Sequence, residues 1–123
     1  MAKRQRSKNK DWRNTEAYFQ WRREVLHKSN YKCAITGSTG ILVCHHLAGG
    51  AVNRKVRFAV TNGVALTPQI HSAYHRWWGY MNTATRESFK LFEILYHKGA
   101  FQEASGEYFL KPEHRKIRKL TDL

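Results

Sequence analysis

A small α+β fold is predicted, in which a strand, a loop, a second strand and a helix are flanked by further helices on both sides. Three observations predict it. Residues 41–79 pass from a β-rich run to a glycine- and cation-rich loop, a second apolar run and a capped helical pattern. Apolar stripes at helical spacing lie before and after that stretch. The chain has 123 residues, of which 13% are aromatic, enough for one small core built largely from rings.

The elements follow in order. Residues 1–13 are basic and polar, with Lys3, Arg4, Arg6, Lys8, Lys10 and Arg13 opposed only by Asp11. They read as a flexible arm that either orders on a polyanion or only adds solubility. A helix should begin near Thr15, capped by Asn14 or Thr15, with Glu16 at its positive end. Tyr18, Trp21 and Val25, with Phe19 and Leu26, give it an apolar stripe, and Ser29-Asn30 ends it. Ile41 to His46 reads as a buried strand, residues 47–57 as a loop, and Phe58 to Val60 as the start of a second strand. Asn62-Gly63 is a turn pattern, and Val64-Ala65-Leu66 continues the strand. Thr67-Pro68 opens a helix that should stop at Gly79. A linker leads to a helix capped by Thr85, with Phe89, Phe92, Leu95 and Tyr96 on its apolar face and Gly99 after it. A connector and a short basic helix from Pro112 complete the chain. The domain boundaries expected are therefore an arm at 1–13, a domain at 14–98 with its ββα core at about 41–79, and a C-terminal segment at 99–123.

Lys and Arg number 22 against 9 Asp and Glu, a net charge of +13. That excess points to a polyanionic partner and says nothing of fold. No apolar run follows the basic N-terminal residues, and no stretch approaches the ~18 apolar residues of a spanning helix. No membrane association is expected. With two cysteines the chain is not a disulfide scaffold, and a cytoplasmic setting is expected.

Four of the seven histidines fall between Cys44 and His75. His71 and His75 stand i, i+4 on the predicted helix, so their rings share a face and can bind one cation. An HxxxH pair is equally what two exposed histidines look like. His45 and His46 are adjacent, and on a strand they point to opposite sides. One can complete a three-imidazole metal face, and the other can stand off it as a base. Phosphodiester cleavage needs that division: an activated water, neutralised phosphate charge and a stabilised leaving oxygen. A neutral imidazole supplies the first and a divalent ion the other two. Asn62 is a poor base and a poor ligand, so it either orients His46 or its loop, or is merely the turn residue of Asn62-Gly63.

His45-His46, Asn62, His71 and His75, at these spacings, resemble the HNH nuclease motif on its ββα-metal finger. The spacing is most similar to the three-histidine version of nuclease colicins. Trp21-Arg22 with Val25-Leu26, then Tyr31-Lys32-Cys33 and Thr36-Gly37, looks like the lead-in of small phage HNH endonucleases, including the homing type. Asn62-Gly63-Val64-Ala65-Leu66 and Gly79 look like their finger. The resemblance spans roughly residues 15–95.

It implies His45, His71 and His75 as metal ligands, His46 as general base, Asn62 as the residue orienting it, and DNA as substrate, cut to a 5′-phosphate and a 3′-hydroxyl. One divalent ion is implied, Mg, Mn, Ni, Co or Zn, with three imidazoles suiting Mg²⁺ least. Where many relatives carry two Cys-x-x-Cys pairs, this chain has Cys33, Thr36, Thr67 and Ile70. No structural zinc is therefore expected, and Ile70, Ile35 and the aromatic residues should hold the finger by packing. A Cys33–Cys44 disulfide is not expected in a reducing compartment.

DNA contacts are expected from Arg54, Lys55 and Arg57 in the finger loop, then from the N-terminal arm and from Arg115, Lys116, Arg118 and Lys119. Trp77 and Trp78 should pack. For a phage-encoded enzyme the setting is the host cytoplasm, with packaging proteins as candidate partners and a monomer as the working state. The competing expectation is a basic nucleic-acid-binding module whose finger is non-catalytic.

Overall fold

The computed structural model describes residues 11–123 and is α+β, with three α-helices and two small two-stranded antiparallel sheets. Residues 1–10 of the expected arm at 1–13 lie outside the described residues. Residues Asp11–Asn14 do not belong to an arm. They form a 3-10 turn whose Trp12 is buried, because that ring finds aromatic and guanidinium partners described below.

Helix α1, Glu16–Lys28, starts where Thr15 accepts a hydrogen bond from the Tyr18 amide, satisfying one of the free donors of the first turn. It buries Trp21 and Val25 and leaves Phe19 largely exposed. Strand β1, Val43–His46, pairs with β2, Gly63–Leu66, with Cys44 opposite Ala65, His45 opposite Val64 and His46 opposite Gly63. The expected first strand is thus trimmed at its start. Ile41 is 80% exposed, since β2 offers only four partners.

Phe58 to Val60 forms no strand. The Ala59 carbonyl accepts from the Trp21 indole (2.9 Å) and from the Asn62 amide (2.9 Å), which closes a 3-10 turn over Val60–Asn62. Asn62-Gly63 is consequently no hairpin turn: Asn62 ends that 3-10 turn and Gly63 begins β2 in an extended conformation.

Helix α2, Pro68–Trp78, has Thr67 as its cap, proline in its first turn and Gly79 at its end. Helix α3, Arg86–His97, opens with a capping box between Thr85 and Ser88. The expected connector is a hairpin of β3, Phe101–Ala104, and β4, Glu107–Leu110. Ser105 and Gly106 join the strands with positive φ at both positions (54° and 80°), the twist that suits a two-residue hairpin loop. Arg76 of α2 ties the hairpin down, donating to the Tyr108 carbonyl and pairing with Glu107, both at 2.8 Å.

The expected basic helix is replaced by two short 3-10 turns, Pro112–His114 and Leu120–Asp122. Four cations at helical spacing would repel one another. Asp122 instead accepts from the Arg118 and Lys119 amides and closes a turn, while Ile117 and Leu120 pack on the core.

The core gathers Cys33, Ile35, Leu66, Ile70, Ala73, Tyr74, Trp77 and the apolar face of α3. Ile35 and Ile70 therefore pack as expected, and both cysteines are free thiols. The β1–β2 ribbon lies with one face toward α1 and the other toward α2 and α3. That placement decides where each histidine of β1 points.

Candidate metal centre

Successive residues of a strand face opposite sides, and His45 and His46 do so. The His45 ring turns toward α2 and α3. It lies 4.7 Å from the Tyr74 ring and 5.5 Å from that of Phe89, centroid to centroid. His71 and His75, one helical turn apart on α2, meet it there, at 5.2 and 5.5 Å. One ring nitrogen from each of the three lies within 4.8 Å of the others. The Nε2 atoms of His71 and His75 are 3.0 Å apart. Two imidazole nitrogens bound to one ion at ~2.0–2.1 Å stand at about that spacing.

His45 supplies the test of fit. It is 3% exposed, and its Nε2 is a buried polar atom with no hydrogen-bond partner among the described residues. Such an atom costs about 1–3 kcal/mol unless something satisfies it. The His45 ring belongs to a donor set of three imidazoles, which suits a divalent ion of intermediate softness and leaves further coordination positions open. The three rings are held neutral, as ligands must be. Burial, reinforced by His71, His75 and His46, pushes the His45 pKa down to about 2. Burial and then His75 lower His71 to about 4, and burial lowers His75.

A hydrogen-bond chain behind His45 fixes its surroundings. The Ser88 hydroxyl spends its one proton on the Thr85 carbonyl (2.8 Å), so the 2.6 Å bond between Tyr74 and Ser88 is donated by Tyr74. The tyrosine ring against His45 is thereby locked to the capping box of α3.

His46 faces α1. Its ring stacks on Trp21 (3.9 Å, 12°) and meets the edge of Trp12 at 5.3 Å. Its Nε2 lies 2.9 Å from the Arg57 carbonyl. A carbonyl only accepts, so Nε2 carries the proton and Nδ1 holds the lone pair. Burial pulls the His46 pKa down to about 4, opposed by that carbonyl and helped by the charges of Arg13 and Arg57.

Asn62 is fully buried and touches neither the metal cluster nor the cavity. Its amide brackets Ala48, accepting from the Ala48 N–H (2.8 Å) and donating to the Ala48 carbonyl (3.0 Å). It is a positioning residue for the chain just past His46.

A cavity of about 610 Å³ opens over the cluster, within the ~300–1,000 Å³ span of ordinary ligand sites. His45, His46, His71 and His75 all line it. So do Arg13, Arg22 and Tyr80, and among the described residues no carboxylate does. Arg54 and Lys55 are exposed in the loop beside it. Arg57 is committed to structure as well: its Nε donates to the Gly50 carbonyl (2.8 Å) and its guanidinium lies 4.4 Å over the Trp12 ring. Arg115, Lys116, Arg118 and Lys119 are exposed on the C-terminal turns, away from the cavity lining. Trp77 is buried, and Trp78 donates its indole N–H to the Thr83 carbonyl.

Sequence reasoning placed Arg13 only within a basic arm expected to contact DNA, and missed Trp12 and Tyr80 as parts of the site. A lone tryptophan in an otherwise basic segment was the available sign for the first; nothing in the linker marked the last. Comparison of the chain with family models, curated proteins and solved structures finds no match.

Proposed function

We propose that this protein is a metal-dependent DNA endonuclease of the HNH type and that its β1–β2–α2 unit is a ββα-metal finger. The observation that carries the reading is the convergence of His45, His71 and His75 on one point while His46, their neighbour in the chain, stands apart with a lone pair of defined position.

The three imidazoles would hold a divalent cation, which when bound neutralises phosphate charge and stabilises the leaving oxygen. Arg13 and Arg22 draw the phosphate backbone into a cavity lined by no carboxylate among the described residues. The Arg57 carbonyl keeps the His46 proton on Nε2, and burial keeps the ring neutral. Nδ1 is then the atom that takes a proton from the attacking water. The water oxygen bonds to phosphorus, the P–O3′ bond breaks, and the 3′ oxygen is protonated by solvent. The products are a 5′-phosphate and a 3′-hydroxyl. Asn62 holds the chain after His46 and touches no reacting atom.

The test is nicking of supercoiled plasmid with Mg²⁺, Mn²⁺, Ni²⁺, Co²⁺ or Zn²⁺, beside calorimetric metal binding. His46→Ala is expected to lose about 10²–10⁴-fold in rate while still binding the ion. Undiminished cutting by His46→Ala removes it as the base. Salt-sensitive DNA binding without cutting under any of these ions favours instead a non-catalytic binding module.

A further inference from the structure

The turn between α2 and α3 is held in a fixed shape by hydrogen bonds. It is braced on three sides. The Trp78 indole donates to the Thr83 carbonyl (2.9 Å), Asn82 donates its side-chain amide to the Trp78 carbonyl (2.6 Å), and the Asn82 N–H donates to the Gly79 carbonyl (3.0 Å). The Gly49 amide, bonded to the Ala84 carbonyl (3.0 Å), ties the end of the turn to the loop after β1.

On this fixed turn Tyr80 is 70% exposed and Met81 97% exposed. Single exposed apolar side chains are ordinary. Tyr80 differs by its place. It lines the cavity, and its ring lies nearly parallel to that of His75, at 20° with centroids 6.0 Å apart. The ring thus lies near a histidine of the three-imidazole cluster and is mostly open to solvent at the rim. Arg13 and Arg22 line the same cavity, so a sugar-phosphate backbone entering it would carry its base toward that rim.

Resting on the nuclease reading, we infer that Tyr80 is a stacking platform for a nucleobase next to the bound phosphate, and that the preferred substrate has that base unpaired. Paired bases in a duplex hide their faces against one another, whereas a single-stranded or splayed base presents its face to an aromatic side chain. The platform accepts any of the bases, since each has a π-face, and so confers a strand-state preference rather than a sequence preference. Met81, beside it, widens the apolar contact.

The experiment uses the full chain in EDTA, where cleavage is silent, with fluorescein-labelled oligonucleotides read by anisotropy. Wild type is expected to bind a single strand more tightly than the duplex of the same sequence. Tyr80→Ala and Tyr80→Leu should weaken single-strand binding by roughly 5- to 150-fold, the range that loss of one stacked base gives, and leave duplex binding unchanged. Tyr80→Phe should bind like wild type. Thermal unfolding of the exposed-site variants is expected to match wild type, and Tyr80→Leu stands in should Tyr80→Ala fail to fold. Wild-type affinity in both non-aromatic variants, or an equal loss toward single strand and duplex, overturns the proposal. A plasmid that stays intact while Tyr80→Ala selectively loses the single strand would sink the nuclease reading alone. Cutting that proceeds with Tyr80→Ala binding as wild type would sink the platform alone.

Discussion

Removing the Asn62 amide leaves the Ala48 N–H and C=O without partners at a half-buried position. Asn62→Ala is therefore expected to destabilise by about 1–3 kcal/mol, read as a lower urea midpoint at constant slope. The histidines bear on stability through protons. Ordinary imidazole titrates near 6.5, whereas in the folded chain His46 and His71 are held at about 4 and His45 at about 2. Between those values the unfolded chain binds more protons than the folded one, so stability rises with pH across that window. Their contribution is complete above about pH 6.5 and is lost as pH falls through about 4 and, for His45, toward about 2. Metal-free protein should show a urea midpoint that drops from about pH 7 to about pH 5. A flat profile would mean that these rings are not held neutral.

The packing of α1 against the β1–β2 ribbon is what sets His46 in place. Gly63, opposite His46 in the ribbon, has no room for a side chain: a Cβ there would sit 2.5 Å from Val25 Cγ2 and 2.7 Å from Trp21 Cζ2. Gly63→Ala must push Trp21, and with it the ring stacked on His46. A loss of about 1–3 kcal/mol is expected from overpacking, measured by thermal unfolding, with the proposed ion binding at His45, His71 and His75 unaffected because they face the other side of the ribbon. The Asp11–Asn14 turn joins the same assembly, since Trp12 carries guanidinium groups of Arg13 and Arg57 at 4.1 and 4.4 Å and meets the His46 edge. Elements far apart in the chain thus wall one imidazole.

Across the molecule, a divalent ion held by His45, His71 and His75 would join the ribbon to α2. At a hundredfold excess over its dissociation constant it should stabilise by about 2.7 kcal/mol, seen as a rise in melting temperature that His71→Ala abolishes. None of the helices among the described residues is long and apolar enough to cross a membrane. The α+β class, the caps at Thr15, Thr67 and Thr85, the helix stop at Gly79 and the three-imidazole cluster were legible in the chain, because capping chemistry and i, i+4 or alternating spacing are local properties. The β3–β4 hairpin, the 3-10 turns at both ends and the shortened β1 were not. Each depends on a distant partner: Arg76 for the hairpin, Ile117 and Leu120 on the core for the C-terminal turns, four residues of β2 for the strand. The sequence by itself determined which side chains could be ligands and which face of a helix they share. Spacing alone left open which of His45 and His46 joins them, and the family resemblance named His45; only the tertiary structure supplied the physical reason, because the sidedness of β1 has no meaning until α1 and α2 occupy its two faces.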